Sequence, residues 1–367
     1  MSHLAAFSHD YTTARDRFRT AATDRGWHTE AHQIQANGFA DGDLTIDVAR
    51  LGSSDAERLL IVSSGLHGTE APLGSAVQLA WLESLPRTWQ PPAGFAVVML
   101  HALNPFGFAQ IRRANEENID LNRNFVEPDQ FPALLAETTK SFGSLAPYLH
   151  PQKPPGRINW FPIVFPWMAL RFGMKVLQTV LPAGQYAFPK GIFYGGQQHG
   201  QTTRIVMQEM PRWVGSASHV LHLDFHSGLG AFAKYKLLAS DPADSERVRL
   251  AQRIYGKERV EADHQTPGGY HNYGDMGEWL SRRFADRTYL YLCAEFGTFH
   301  STRVIGALRR ENQTQFWGDP HSARHLRIKS RCLDTFVPAA PKWRETVMQL
   351  SLELMQKSVQ EWSTLGI

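Results

Sequence analysis

The chain has 367 residues, 43% of them hydrophobic, with 29 glycines. Its apolar share is therefore that of an ordinary globular protein, which excludes a disordered chain, a collagen-like repeat and a coiled coil, and its length allows one large domain or two. Lysines and arginines number 38 against 35 acidic residues, a formal net charge of +3, which demands neither nucleic acid nor an acidic membrane as partner.

Two cysteines, Cys293 and Cys332, make no disulfide framework. Residues 1–27 are polar and charged, with Phe7, Tyr11, Ala14 and Phe18 at helical spacing. This reads as an amphipathic surface helix and not as a secretory signal. A reducing, cytoplasmic location is the expectation.

Leu44 to Leu51 alternates apolar and polar residues like a strand, and Arg58 to Ser64 reads as a short buried strand. Helical spacing then runs from Ala71 to Leu85 and stops at Pro86. Phe95 to His101 is a further apolar strand. The stretch 127–201 is proline-rich and irregular, and reads as a long insertion over one face. Within it, 158–181 is apolar. Pro162 and Pro166 interrupt its longest uncharged run, and Arg171 and Lys175 follow. A spanning helix needs about 20 apolar residues, so no transmembrane segment is expected. The simpler reading is a buried or surface-docking helix. The alternative is a peripheral membrane contact through Trp160, Phe161, Phe165 and Trp167.

Val220 to Phe225 and Tyr235 to Ala239 read as strands flanking a glycine turn, Ser245 to Tyr255 as a helix, and Thr288 to Phe296 as a strand. Trp343, Val347, Leu350 and Leu354 mark a C-terminal helix that starts near Pro341. Strands alternating with helices predict an α/β layer fold.

Four short motifs could carry chemistry. His67-Gly68-Thr69-Glu70 follows a strand and precedes a helix. A tight turn at Gly68 would let the histidine and the glutamate converge on one metal ion; Glu70 also suits a plain helix start. Asp224-Phe225-His226 closes a strand and could add a third ligand. His222, Asp224 and His226 share one face of that strand by alternation, so spacing leaves a ligand role for His222 open. Arg112-Arg113 precedes Asp120-Leu121-Asn122-Arg123. Arginine forks grip carboxylates, although a solvated loop has the same composition. Glu295 ends an apolar strand, where a carboxylate entering a cleft is poised for proton transfer.

These motifs occur in an order that resembles the zinc carboxypeptidase family, the carboxypeptidase A-like metallopeptidases, and most of all a bacterial subfamily of it. The chain is also similar, more distantly, to the succinylglutamate desuccinylase and aspartoacylase branch. The resemblance spans Ser63 to Thr298 and includes Lys190-Gly191-Ile192-Phe193-Tyr194-Gly195-Gly196. It implies a three-layer α/β/α fold around a central mixed sheet. It also implies one catalytic domain over 1–367, with the insertion at about 127–201.

The resemblance further implies one zinc ion held by His67, Glu70 and His226. Asp120 would orient the first histidine. Asn122 and Arg123 would grip a substrate carboxylate. Arg113, or its neighbour Arg112, would polarise the scissile carbonyl, and Glu295 would be the general base. Tyr270 or Tyr273 would close over the substrate. The implied activity is hydrolysis of an amide next to a free carboxylate. The substrate would be a peptide C-terminus or, alternatively, an N-acyl amino acid, and no nucleic acid partner is implied. Gly228-Leu229-Gly230 is set aside as a dinucleotide loop because a strand follows it. Cys293, inside an apolar strand, reads as a structural thiol.

Overall fold

Eight strands line up in one mixed sheet in the computed structural model, which describes residues 3–262 and 273–365. They are β1 (His28–Gln33), β2 (Thr45–Leu51), β3 (Arg58–Ser64), β4 (Phe95–His101), β5 (His219–Gly228), β6 (Tyr235–Ala239), β7 (Val260–Ala262) and β8 (Thr288–Gly297). Their order across the sheet is β1-β2-β4-β3-β5-β8-β6-β7. The central four, β4-β3-β5-β8, run parallel. Antiparallel pairs β1–β2, β2–β4 and β6–β8 flank them, and β7 pairs parallel with β6 at the far edge.

Alternation along the central strands feeds two cores. Leu60 and Val62 of β3 and Leu221 and Leu223 of β5 face one core, while Leu59 and Ile61 of β3 face the other. The helices Ala71–Ser84 and Pro341–Thr364 cover the first face with Leu73, Val77, Trp343 and Val347. The helices Gln201–Val214 and Met276–Arg283 cover the second with Val206, Met210, Met276 and Leu280. Burying one such large apolar side chain contributes about 1.5–3 kcal/mol. The result is the expected α/β/α layering, and the described residues form 13 α-helices around the sheet.

The chain passes from β3 to β4 on one side, then returns to place β5 on the other side of β3. That reversal opens a crevice at the carboxyl ends of β3 and β5, the usual place for a ligand in an open α/β sheet.

One expectation about local structure needs correction, and one strand was not expected. The stretch 127–201 is not irregular: it contains the helices Phe131–Gly143, Phe161–Phe172 and Met174–Ala183. Pro162 sits in a first helical turn, where its missing N–H costs nothing, and Pro166 forfeits one helical bond without ending the helix. The polar strand β1, His-Thr-Glu-Ala-His-Gln, carries no apolar alternation. It forms because its backbone pairs with β2 from His28–Arg50 to Gln33–Thr45.

Candidate metal centre

β3 ends at Ser64, and the helix beginning at Ala71 starts immediately after Glu70. The turn between them is tight for a reason other than left-handed backbone. Gly68 is not at positive φ. A Cβ there would lie 2.0 Å from the carbonyl carbon of Gly107, so the two backbones touch. The turn delivers His67 and Glu70 to the same point. β5, hydrogen-bonded to β3 in parallel register, delivers His226 beside them.

The three side chains are buried, and their ligand atoms all lie within 4.8 Å of one another. Each carboxylate oxygen of Glu70 faces one histidine. Oε1 lies 3.1 Å from His67 Nδ1, and Oε2 lies 3.1 Å from His226 Nδ1. The far nitrogens are fixed by carboxylates: His67 Nε2 lies 3.1 Å from Asp120 Oδ1, and His226 Nε2 lies 2.6 Å from Asp224 Oδ2. Both rings therefore turn Nδ1 toward Glu70. His67 Nδ1 is buried and makes no hydrogen bond among the described residues. Two such nitrogens and a carboxylate fit a divalent ion, with carboxylates behind the histidines to fix their orientation.

Charge is dense here. Burial works against the Glu70 carboxylate, but His67 and His226 outweigh it and hold Glu70 well below its ordinary value. Burial likewise works against a charged His226, but Asp224 and Glu70 outweigh it and hold that imidazole well above its ordinary value. Burial, with Glu70 alongside, pushes Glu295 up to about 7. Glu295 Oε1 accepts the backbone N–H of Leu229 at 2.8 Å.

The two arginines have separate surroundings. Arg113 donates from Nε to Asp120 Oδ2 at 2.8 Å and from Nη1 to Glu70 Oε1 at 3.1 Å, so it stands against the candidate ligands. Arg112 turns away. It donates to Glu311 Oε1 at 3.1 Å and to Asn118 Oδ1 at 2.7 Å, and it is 3% exposed. Its expected contact with substrate is corrected accordingly, because a buried ion pair already occupies its guanidinium.

A cleft of about 240 Å³ opens over the site. His67, Glu70, Arg113, Asn122, Arg123, His226 and Glu295 all line it. Asn122 Oδ1 accepts the backbone N–H of Met276 at 3.0 Å, which leaves its amide nitrogen to donate. Arg123 is buried, and its Nε has no partner among the described residues. Asp120 stands behind the cleft, with burial opposed and outweighed by Arg113 and His67, which hold it well below its ordinary value.

Tyr273 does not line the cleft; its hydroxyl donates to Glu137 on the helix Phe131–Gly143. Tyr270 lies outside the described residues. His222 does not join the metal-binding group. Its Nε2 lies 2.7 Å from Ser63 Oγ and its Nδ1 lies 2.9 Å from Tyr289 Oη, deeper along β5. Cys293 lines the cleft within 4.8 Å of His226 and Glu295. Burial, then Glu295, pushes its thiol well above the ordinary value, so it stays protonated.

Two features escaped sequence reasoning. The Asp224–His226 bond was signalled by their spacing of two on one strand. The apolar wall of the cleft, Leu181, Pro182, Phe193, Val304, Ile305 and Leu308, carried no local signal, because it comes from the stretch 127–201 and from the helix Ser301–Trp317.

The model of the family described as "Protein of unknown function (DUF2817)" matches residues 7–350, and the chain belongs to that family. No curated protein matches it. Among solved structures it is similar to the carboxypeptidase A of Helicoverpa armigera. The identity there is 11%, over 91% of this chain and 74% of that one, with a TM-score of 0.46. It is also similar to a metallo-carboxypeptidase of Pseudomonas aeruginosa, at 15% identity over 92% and 68% of the two chains, TM-score 0.38. An aspartoacylase family protein of Mesorhizobium loti is similar at 14% identity over 80% and 67%, TM-score 0.39.

Proposed function

We propose that the protein is a zinc-dependent hydrolase cleaving an amide bond next to a free carboxylate, as a metallocarboxypeptidase does, and that residues 1–367 act as one catalytic domain. One observation carries the reading. The two oxygens of Glu70 each face a histidine Nδ1 at 3.1 Å, with Glu295 in the same cleft.

His67, Glu70 and His226 would hold one zinc ion and leave a position open. When bound, zinc would supply an acidified water and polarise the scissile carbonyl. Glu295, raised toward neutrality by burial, takes the proton of the attacking water and passes it to the leaving nitrogen. Arg113 uses Nε and Nη1 on Asp120 and Glu70. Its Nη2, with the second N–H of Nη1, is left to donate to the developing oxyanion. Asn122 and Arg123 bind the free carboxylate and so orient the scissile bond.

A second reading keeps the same chemistry but takes N-acyl amino acids. Leu181, Pro182 and Phe193 give the cleft an apolar wall, against which the acyl chain of a small acylated amino acid would pack. The test is mass-spectrometric product analysis of zinc-loaded protein with pooled free-C-terminus peptides and N-acyl amino acids. Release of single C-terminal residues supports the carboxypeptidase. Cleavage confined to acylated amino acids supports the deacylase. Turnover of neither pool, with zinc bound, overturns both.

A further inference from the structure

The helices Phe161–Phe172 and Met174–Ala183 carry apolar residues on two opposite sides. Phe161, Phe165 and Met168 are buried, with Phe161 packed against Gly306 of the neighbouring helix. Ile163, Trp167 and Leu170 repeat the same four-then-three spacing on the outer side, where they are 65%, 45% and 87% exposed. Trp160, Met174 and Val176 extend this face. A helix on a soluble surface normally turns polar residues outward. Scattered apolar residues need no explanation, but a contiguous set does.

The charge carried by this segment itself has one sign. Residues 138–208 contain no aspartate or glutamate. Arg157, Arg171 and Lys175 are exposed beside the apolar residues. Arg310 of the neighbouring helix donates to the carbonyls of Gly156 and Ile158, and Arg324 donates to that of Pro155. These contacts hold the approach to the first helix and bring further positive charge to its rim.

We propose that this helix pair is an interfacial docking face for an anionic phospholipid membrane. Ile163, Leu170 and Met174 enter the boundary of the acyl chains, Trp160 and Trp167 sit at headgroup level, and Arg157, Arg171 and Lys175 meet the phosphates. Contact is peripheral: no helix among the described residues is long and apolar enough to cross a membrane. The contacting set differs from the one expected from sequence, because Phe161 and Phe165 are committed to the core. The second helix runs to Leu181 and Pro182 in the cleft wall, so docking places the cleft beside the lipid surface. The proposal stands whether or not the catalytic reading holds.

The experiment is flotation of the full chain with vesicles of phosphatidylcholine alone, and with vesicles of equal parts phosphatidylcholine and phosphatidylglycerol. The protein is expected to float with the anionic vesicles, about tenfold more than with the neutral ones at low salt. The double variant Ile163→Asp/Leu170→Asp should lose that binding. Arg171→Glu/Lys175→Glu should weaken it about tenfold and remove most of its salt dependence. Both pairs are exposed, and unchanged thermal unfolding by circular dichroism establishes that the variants fold. Absence of wild-type binding to anionic vesicles overturns the proposal, as does equal binding by Ile163→Asp/Leu170→Asp. Sedimentation revealing a dimer that this variant splits, with vesicle binding unchanged, also overturns it and makes the face a contact between copies.

Discussion

At the carboxyl ends of β3, β5 and β8, polar groups lie buried inside the molecule; on the helix pair at 161–183, apolar groups lie exposed outside it. The first region pairs most of its charges. Asp224 accepts from Ser63 at 2.6 Å and from Tyr291 at 2.9 Å while holding His226 at 2.6 Å. Burying charge is costly unless it is paired and hydrogen-bonded, so each group there is fixed by several others. The second region has no acidic residue in its own sequence and leaves Ile163, Trp167 and Leu170 exposed. Mutational sensitivity should therefore be high and shared at the strand ends, and split sharply between two sides of the helix Phe161–Phe172.

The largest effect expected is at the proposed base. Glu295→Gln should lower turnover by about 10²–10⁴-fold while the zinc bound per chain, read by mass spectrometry of the metal, stays the same. Full activity in that variant removes Glu295 from the mechanism.

Next comes the split between the two sides of the helix Phe161–Phe172. Phe161→Ala should cost about 3 kcal/mol in denaturant unfolding, whereas Leu170→Ala on the outer side should change stability by less than about 0.5 kcal/mol. Equal costs would break the comparison.

Acid should act on the buried polar region. Burial holds His222 at about 4, below the ordinary 6.5, despite Asp224. Between pH 6.5 and 4 the unfolded chain takes up a proton that the native imidazole refuses. Stability is therefore lost as pH falls through that window, by roughly 3 kcal/mol for this residue. His101 and His150, held by burial at about 3 and about 4, act in the same direction. Asp47, pushed by burial to about 6, acts against them because its native form takes up the proton first. His222→Asn should flatten the slope of unfolding free energy between pH 6.5 and 4; an unaltered slope excludes this account.

The smallest effect concerns the carboxylates behind the histidines. Asp224→Asn and Asp120→Asn should each weaken zinc affinity by about 10–100-fold, measured by competition with a chelating dye. An unchanged affinity would mean that packing alone orients the rings.

The same comparison explains what could be read from the chain. β3, β4 and β8 were legible because burial on both faces demands unbroken apolar runs such as Leu59-Leu60-Ile61-Val62. The convergence of His67, Glu70 and His226 followed from motif order more than from spacing. The choice between Arg112 and Arg113 was not legible, because adjacent residues differ only in the direction their side chains leave the backbone. A docking helix over 158–181 was legible, but its division at Gly173 into Phe161–Phe172 and Met174–Ala183 was not. The strand β1 was illegible because backbone pairing, and not its side chains, makes it a strand.

Gly68 and Gly107 press backbone against backbone, and the N–H of Gly68 donates to the carbonyl of Arg113 at 3.3 Å. A Cβ on Gly107 would in turn lie 2.5 Å from Asn104 Nδ2. The turn bearing two candidate ligands and the loop bearing Arg113 thus behave as one mechanical part. In a saturation library, positions 68 and 107 should accept almost no replacement, although Gly107 touches no part of the cleft. Any side chain between them would spread the turn from the loop and carry His67 and Arg113 out of mutual register.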